Sequence, residues 1–318
     1  MQQPMPLQTA RFLSFLRSPA GHLLVFLLLL TSVLSPLLIC FPLPLGDYTN
    51  HLARMHIISA IADSENLARY YRITWAAIPN LASDILVPPL GRLIGIENAL
   101  LAFTAASLLL ISTGAIALNR ALHRARSLLP LTVFFLLYNR QFLWGFLNYL
   151  FAVGVMLWLL AAWVSIRPRL NTAWSLAFLF PTTLLFLFHL HPLAAYGVCV
   201  LGLEWSERSE HAGNRKEQFR KLALALLQFI PSGFILLFAS PTSQRAGDVV
   251  FGSLANKAVG LFDAFNNYNQ MLDGATTALF FLVLIWGLYS RALVLHRKLA
   301  PAIILLAILY LITPNVLF

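Results

Sequence analysis

Asp47, His51 and Arg54 are the residues of this 318-residue sequence whose types and spacing best suit chemistry. They are four and three positions apart, so a helix that begins near Asp47 would carry all three on one face. A carboxylate at a membrane boundary can act as general base for an acceptor hydroxyl, or can hold a divalent metal. A neighbouring arginine can bind a phosphate through its planar guanidinium. The alternative is that Asp47 or Thr49 only caps the helix, with Arg54 an ordinary interfacial residue.

Three further segments carry polar side chains between apolar stretches. Arg140 is a lone arginine in apolar sequence, which is costly unless it faces water or a partner. His189 and His191 could line a cavity or ligate a metal, although histidines at this spacing are also common in interfacial turns. Asn267 lies among aromatic residues, a composition that suits sugar binding or an interfacial turn. The predicted substrate-binding residues are His51, Arg54, Arg140, His189, His191 and Asn267.

The composition predicts that membrane-spanning helices position these residues. Hydrophobic residues make up 59% of the chain and charged residues 11%, whereas soluble domains carry about 25% charged residues. The formal net charge is +10, but the basic residues occupy short gaps between apolar blocks and form no patch that would bind nucleic acid. A lipid bilayer is therefore a predicted partner, and nucleic acid is not.

The apolar blocks predict an all-α, polytopic transmembrane bundle of about nine spans, forming a single domain over residues 1–318. Residues 22–46 form the first span, which we expect to be retained rather than cleaved. Residues 47–97 form an outer loop with interfacial helices, because apolar residues recur there at helical spacing. Residues 98–318 hold the remaining spans. The last block reaches Phe318, which also suggests a chain truncated at its C-terminus.

Two blocks are too long for one spanning helix and predict helical hairpins. The first covers residues 127–166, with its turn at Arg140, and the second covers residues 170–203, with its turn at His189 to Pro192. Pro231 is expected to kink the seventh span.

The basic residues predict the orientation of these spans. With the N-terminus in the cytoplasm, 15 of the 22 basic residues fall in inner segments, as the positive-inside rule requires. Eight of the 12 acidic residues fall in outer segments. Acidic residues contribute little to orientation, so this second bias favours chemistry or recognition on the outer face.

One span followed by a large outer loop that opens with Asp47, in Gly-Asp-Tyr-Thr-Asn-His, resembles the GT-C superfamily of membrane glycosyltransferases. The chain also resembles uncharacterised multi-spanning membrane proteins of bacteria. The first resemblance implies a multi-pass protein of the bacterial inner membrane that transfers a hexosyl or pentosyl group from a polyprenyl-phosphate-linked sugar. It implies that Asp47 is the catalytic base or a metal ligand.

Two alternative functions come from other classes. A transporter of a lipid-linked or polar solute predicts mid-membrane charges and internal repeats. A non-catalytic protein of envelope polysaccharide assembly predicts that the outer polar residues do not converge.

Overall fold

The computed structural model describes residues 14–15, 18–208, 215–241, 249–265, 269–313 and 316–317. These residues are almost wholly helical, which confirms the all-α prediction, and the two short strands pair Val249 with Leu317. The α-helices are α1 Pro19–Ile39, α2 Tyr48–Ala60, α3 Glu65–Tyr70, α4 Ala82–Ile94, α5 Ile96–His123, α6 Arg140–Leu143, α7 Leu147–Ile166, α8 Thr172–Ala177, α9 Leu179–Phe188, α10 Leu190–Arg208, α11 Arg215–Leu227, α12 Ile230–Phe234, α13 Leu254–Gly260, α14 Gln270–Tyr289 and α15 Ala300–Ile312. The strands are β1 Val249–Val250 and β2 Val316–Leu317, and the other helical segments are the 3-10 turns 61–63, 129–136, 167–169, 261–265 and 297–299 and a π-helical turn at 235–239.

The prediction of about nine spans is wrong. Among the described residues four helices are long and apolar enough to cross a membrane, namely α1, α5, α7 and α14. A fifth span is formed if α11 and the segment 230–239 are taken together, although they meet at a bend of 58°. That bend lies just before Pro231, where the sequence predicts a kink. These apolar helices indicate a membrane-embedded helical protein.

Fewer helices are long enough to span a membrane than the sequence predicts, because the chain reverses direction through segments that are not long α-helices. Phe103 of α5 stacks on Phe151 of α7 at 4.7 Å, and Thr113 accepts a hydrogen bond from Trp158 at 3.1 Å. From the first pair to the second, the residue number increases on both helices, so α5 and α7 run parallel. The chain must therefore return between them, and it does so largely through the 3-10 segment 129–136.

The second predicted hairpin has the same form. The rings of Tyr149 and His189 lie 5.3 Å apart near the starts of α7 and α10, and Arg167 binds Glu204 near their ends. These two helices are also parallel, so the return passes through α8 and α9, which together form a shorter apolar helix over Thr172–Phe188. The helical backbone is interrupted at His189, within the predicted turn.

Close packing between α5 and α7 fixes the centre of the bundle. A Cβ added at Gly154 would lie 2.5 Å from Leu110 Cβ, and one added at Gly114 would lie 2.8 Å from Leu157 Cβ. Small residues of this kind allow helix backbones to approach closely in membranes. We call the end of the bundle that holds Asp47 the Asp47 end, and the opposite end, where α5 terminates, the Arg120 end.

Candidate functional site

Asp47 lies between α1 and α2, where the chain pairs with the turn before α7. Gly46 N and Asp47 N donate hydrogen bonds to the carbonyl oxygens of Leu143 and Trp144, each at 2.9 Å. Asp47 precedes the first residue of α2, but its side chain makes no capping hydrogen bond. The Asp47 carboxylate therefore does not cap α2, in contrast to the alternative interpretation of the sequence.

One oxygen of the Asp47 carboxylate is available for chemistry. Asn50 donates from Nδ2 to Asp47 Oδ1 at 2.9 Å, which fixes the orientation of the carboxylate. The other oxygen, Oδ2, has no hydrogen-bond partner among the residues that the structure describes. Asp47 is half-buried, so this oxygen is a free acceptor beside a protein wall, as a general base requires.

Gly145 makes the close approach to Asp47 sterically feasible. Its φ is +80°, and a Cβ at this position would lie 2.8 Å from Asp47 N. The glycine precedes α7, so it supports the backbone of the site rather than a helix–helix contact.

We expect Gly145→Ala to destabilise the protein by at least about 1–2 kcal/mol, because alanine is strained at positive φ and would also collide with Asp47. Thermal unfolding in detergent measures the effect. Gly274→Ala is the matched control, since no atom lies within 4 Å of a Cβ at that position. Equal transition temperatures for the two variants would contradict the role assigned to Gly145.

His51 lies one helical turn beyond Asp47. Burial lowers the pKa of its imidazole below the ordinary value, and the nearby carboxylates of Asp47 and Asp84 offset this only in part. A hydrogen bond with the Gly145 backbone also favours the charged form. His51 is therefore neutral at pH 7, and it can donate or accept a hydrogen bond without adding a positive charge.

Arg54 binds Asp84, a residue that sequence reasoning did not select. Arg54 Nε donates to Asp84 Oδ1 at 2.9 Å, and Nη2 lies 2.5 Å from Oδ2. The side chain of Asp84 is 2% exposed, whereas that of Arg54 is 57% exposed. The ion pair raises the pKa of Arg54 and holds its guanidinium in one orientation, with Nη1 left for another acceptor.

Asn148 is the second residue that sequence reasoning missed. Its Oδ1 accepts from Ser83 N at 2.6 Å, and its Nδ2 donates to Asn80 O at 2.9 Å. Asn148 is buried at the start of α7, so these bonds attach the first turn of α4 and the residue Asn80 before it to the bundle. The sequence signal was weak: a single amide in an apolar block, and one carboxylate, Asp84, at the start of an apolar helix.

These residues enclose a pocket of about 290 Å³ at the Asp47 end. This volume is close to the lower limit of about 300–1,000 Å³ for small-molecule sites. Three of the predicted residues line it together. The lining residues are Asp47, Asn50, His51, Arg54, Ile78, Pro79, Asn80, Leu81 and Asn148.

Arg140, His189 and His191 do not line this pocket. The guanidinium of Arg140 lies 4.5 Å from the ring of Trp144, the residue whose carbonyl accepts from Asp47 N. His189 lies against Tyr149 and His191, with ring centroids 5.3 and 5.4 Å away. Asn267 lies outside the described residues.

The sequence left open a divalent metal at Asp47 or at the pair His189 and His191. No group of three or more His, Cys, Asp or Glu side chains in the described part of the chain is arranged to hold a metal ion.

His189 gives the stability of the fold a pH dependence. Burial, with a smaller effect of His191, lowers the pKa of His189 from 6.5 to about 4. The unfolded chain takes up this proton first as the pH falls, so the contribution is complete above pH 6.5 and is lost as the pH approaches about 4. When the pH is lowered from 6.5 to about 4, we expect the thermal stability of His189→Phe to fall less than that of the wild type. The exposed His56→Phe variant is the control, and a wild-type profile for His189→Phe would contradict the assignment.

The geometry brings a proton acceptor and a guanidinium donor together in one place. A carboxylate with a free oxygen, a neutral imidazole and a fixed guanidinium face one small pocket at the end of a membrane bundle. Asp84 neutralises Arg54, so Asp47 is the carboxylate in the lining without a cationic partner among the described residues. Comparisons of the chain with protein-family models, curated proteins and solved structures found no match.

Proposed function

We propose that this protein is a membrane glycosyltransferase of the GT-C type, which transfers a sugar from a polyprenyl-phosphate donor at the outer face of the bacterial inner membrane. The observation that carries the proposal is the shared pocket of Asp47, His51 and Arg54, in which Asp47 Oδ2 is free of hydrogen bonds from described residues. The sequence pattern around Asp47 supports the same assignment, because it resembles that superfamily.

The proposed reaction assigns a role to each lining side chain. The acceptor hydroxyl oxygen attacks the anomeric carbon while Asp47 takes the hydroxyl proton. The bond from the anomeric carbon to the phosphate oxygen breaks, and its electron pair leaves with the lipid phosphate. Arg54 Nη1 stabilises the developing charge on that phosphate, and neutral His51 hydrogen-bonds the sugar or the phosphate. Asn50 holds Asp47 in position.

Interfacial aromatic residues support a water boundary at the Asp47 end. Tyr70, Tyr71 and Trp75 are 74%, 51% and 58% exposed in the segment between α2 and α4. Tyrosine and tryptophan are enriched where a membrane meets water. A lipid-linked donor could then reach the pocket sideways from the bilayer, with its polar head at the level of Asp47. The basic residues favour an orientation in which this end is outside and the N-terminus is cytoplasmic.

Sugar transfer from a natural lipid pool tests the proposal. The purified protein is reconstituted with a bacterial lipid extract whose polyprenyl-linked sugars carry a radiolabel, together with candidate acceptors from the same envelope. We expect label to leave the lipid fraction and to appear in a new glycosylated product. Movement of intact labelled lipid across the bilayer would instead indicate a transporter. No turnover with any acceptor would favour the non-catalytic assembly role, and either of these results would overturn the proposal.

A further inference from the structure

A second and larger cavity, of about 1,060 Å³, lies at the Arg120 end of the bundle. It is formed by the first turns of α1, the last turns of α5 and α7, and the chain that follows α5. Residues at its wall include His22, Phe26, Arg120, Arg124, Arg126 and Trp158. The proposed reaction does not use this cavity.

The charged residues that line this cavity are all basic. Arg120, Arg124 and Arg126 line it, and none of the residues that line it is an aspartate or glutamate. The three side chains are exposed, and none forms an ion pair with a carboxylate in the described part of the chain. Three guanidinium groups on one rim repel each other unless an anion lies between them, so the site is complementary to a negatively charged group.

Much of the remaining wall is apolar, and Thr113, Asn119 and Ser165 also line it. Leu23 and Phe26 of α1, Ile116 of α5, and Leu131 form it together with the ring of Trp158. Leu23 and Leu27, which are one helical turn apart on α1, are both exposed. A small soluble anion would fill only the part of the cavity beside the arginines, whereas an anion that carries an acyl chain would also fill the part beside this apolar surface.

The position of the cavity matches one boundary of a bilayer. Asn148 at the Asp47 end and Ser165 at the cavity both lie on α7, separated by about 25 Å along the helix axis. This distance approaches the roughly 30 Å thickness of the hydrocarbon core. The arginines therefore lie at headgroup depth of one leaflet when Asp47 lies at the boundary of the other.

We propose that this cavity binds one anionic phospholipid, with its phosphate between Arg120, Arg124 and Arg126 and an acyl chain along α1. Basic pockets between helices at a membrane surface bind acidic headgroups in this way. The bound lipid joins α1 to α5 and α7 at the Arg120 end, and it thereby stabilises the helices that carry the Asp47 pocket at their other ends.

Lipid binding by the whole protein in detergent tests this proposal, with phosphatidylglycerol as the probe and native mass spectrometry or thermal stabilisation as the readout. We expect the triple variant Arg120→Gln, Arg124→Gln and Arg126→Gln to weaken phosphatidylglycerol binding on the order of 100-fold. The matched control is Arg69→Gln, Arg72→Gln and Arg92→Gln, which removes three exposed arginines between α2 and α5. We expect this control to bind like the wild type.

Two further probes separate the lipid from other occupants. Phosphatidylcholine, which has no net charge, should bind no better to the wild type than to the triple variant. Soluble glycerol phosphate should give no stabilisation at concentrations at which the lipid saturates. Stabilisation by glycerol phosphate equal to that by phosphatidylglycerol would overturn the lipid assignment in favour of a soluble anion. If both triple variants bound phosphatidylglycerol equally weakly, the effect would come from the overall charge of the protein. That result would also overturn the proposal. Neither result depends on glycosyl transfer, so both remain distinct from a failure of the proposed function.

Discussion

Replacing Asp47 with asparagine is expected to lower the rate of sugar transfer by about 10²–10⁴-fold, the range typical of removing a general base. The amide keeps the shape of the carboxylate, and its oxygen can still accept the hydrogen bond from Asn50 Nδ2. It cannot take the proton of an acceptor hydroxyl. The loss should therefore appear in turnover, with little change in thermal stability, when both are measured on protein in the same lipid.

Asp63→Asn provides the matched control for this prediction. Asp63 is an exposed carboxylate in the 3-10 turn that follows α2, and it does not line the pocket. We expect it to retain wild-type turnover. Wild-type turnover in Asp47→Asn would remove Asp47 from the mechanism, while equal losses in both variants would indicate a general effect of charge near the membrane.

Glu204→Gln is expected to produce the largest loss of stability, about 3–5 kcal/mol, because it removes the negative charge that the buried guanidinium of Arg167 contacts. Arg167 Nε donates to Glu204 Oε1 at 2.7 Å, and both side chains are 7% exposed. Arg167 also donates from Nη2 to the carbonyl of Leu203. These bonds join the end of α7 to α10 at the Arg120 end of the bundle. The free energy of unfolding can be measured by denaturant titration in mixed micelles.

Glu217→Gln is the control for the buried pair. Glu217 binds Arg220 at 2.7 Å, but both side chains are well exposed. Exposed ion pairs contribute little to stability because solvent screens them, so we expect no measurable change. Similar unfolding for Glu204→Gln and Glu217→Gln would show that the pair between α7 and α10 does not hold the bundle together.

Sequence reasoning identified the class of fold because long apolar blocks have few other solutions. It overestimated the number of spans because block length does not report the helix type. Between Ser127 and Tyr138 an α-helix would rise about 17 Å, whereas a 3-10 helix would rise about 22 Å. The more extended form lets a short segment return the chain beside α1, where Phe134 meets Phe26 and Tyr138 bonds Val33 O.

Only the part of the candidate site whose residues are close together in the sequence was predicted. Asp47, His51 and Arg54 share one helix face, so their spacing was sufficient to group them. Asp84 lies thirty positions from Arg54, and Asn148 lies sixty-five positions from Ser83. Contacts of that range depend on how the helices pack, and one sequence carries no periodic signal for them. The same packing separates Arg140, His189 and His191 from the pocket lining.

Photo-crosslinking of a lipid-phosphate-linked sugar to the purified protein tests whether the donor binds at Asp47, because it locates the donor without requiring the acceptor. The probe carries a diazirine on the sugar, and peptide mass spectrometry maps the labelled residues. A donor site at Asp47 predicts labelling within residues 47–54 or 78–81, which an excess of unreactive donor suppresses. Labelling confined to the cavity near Arg120, or labelling that the unreactive donor does not reduce, would contradict a donor site at Asp47.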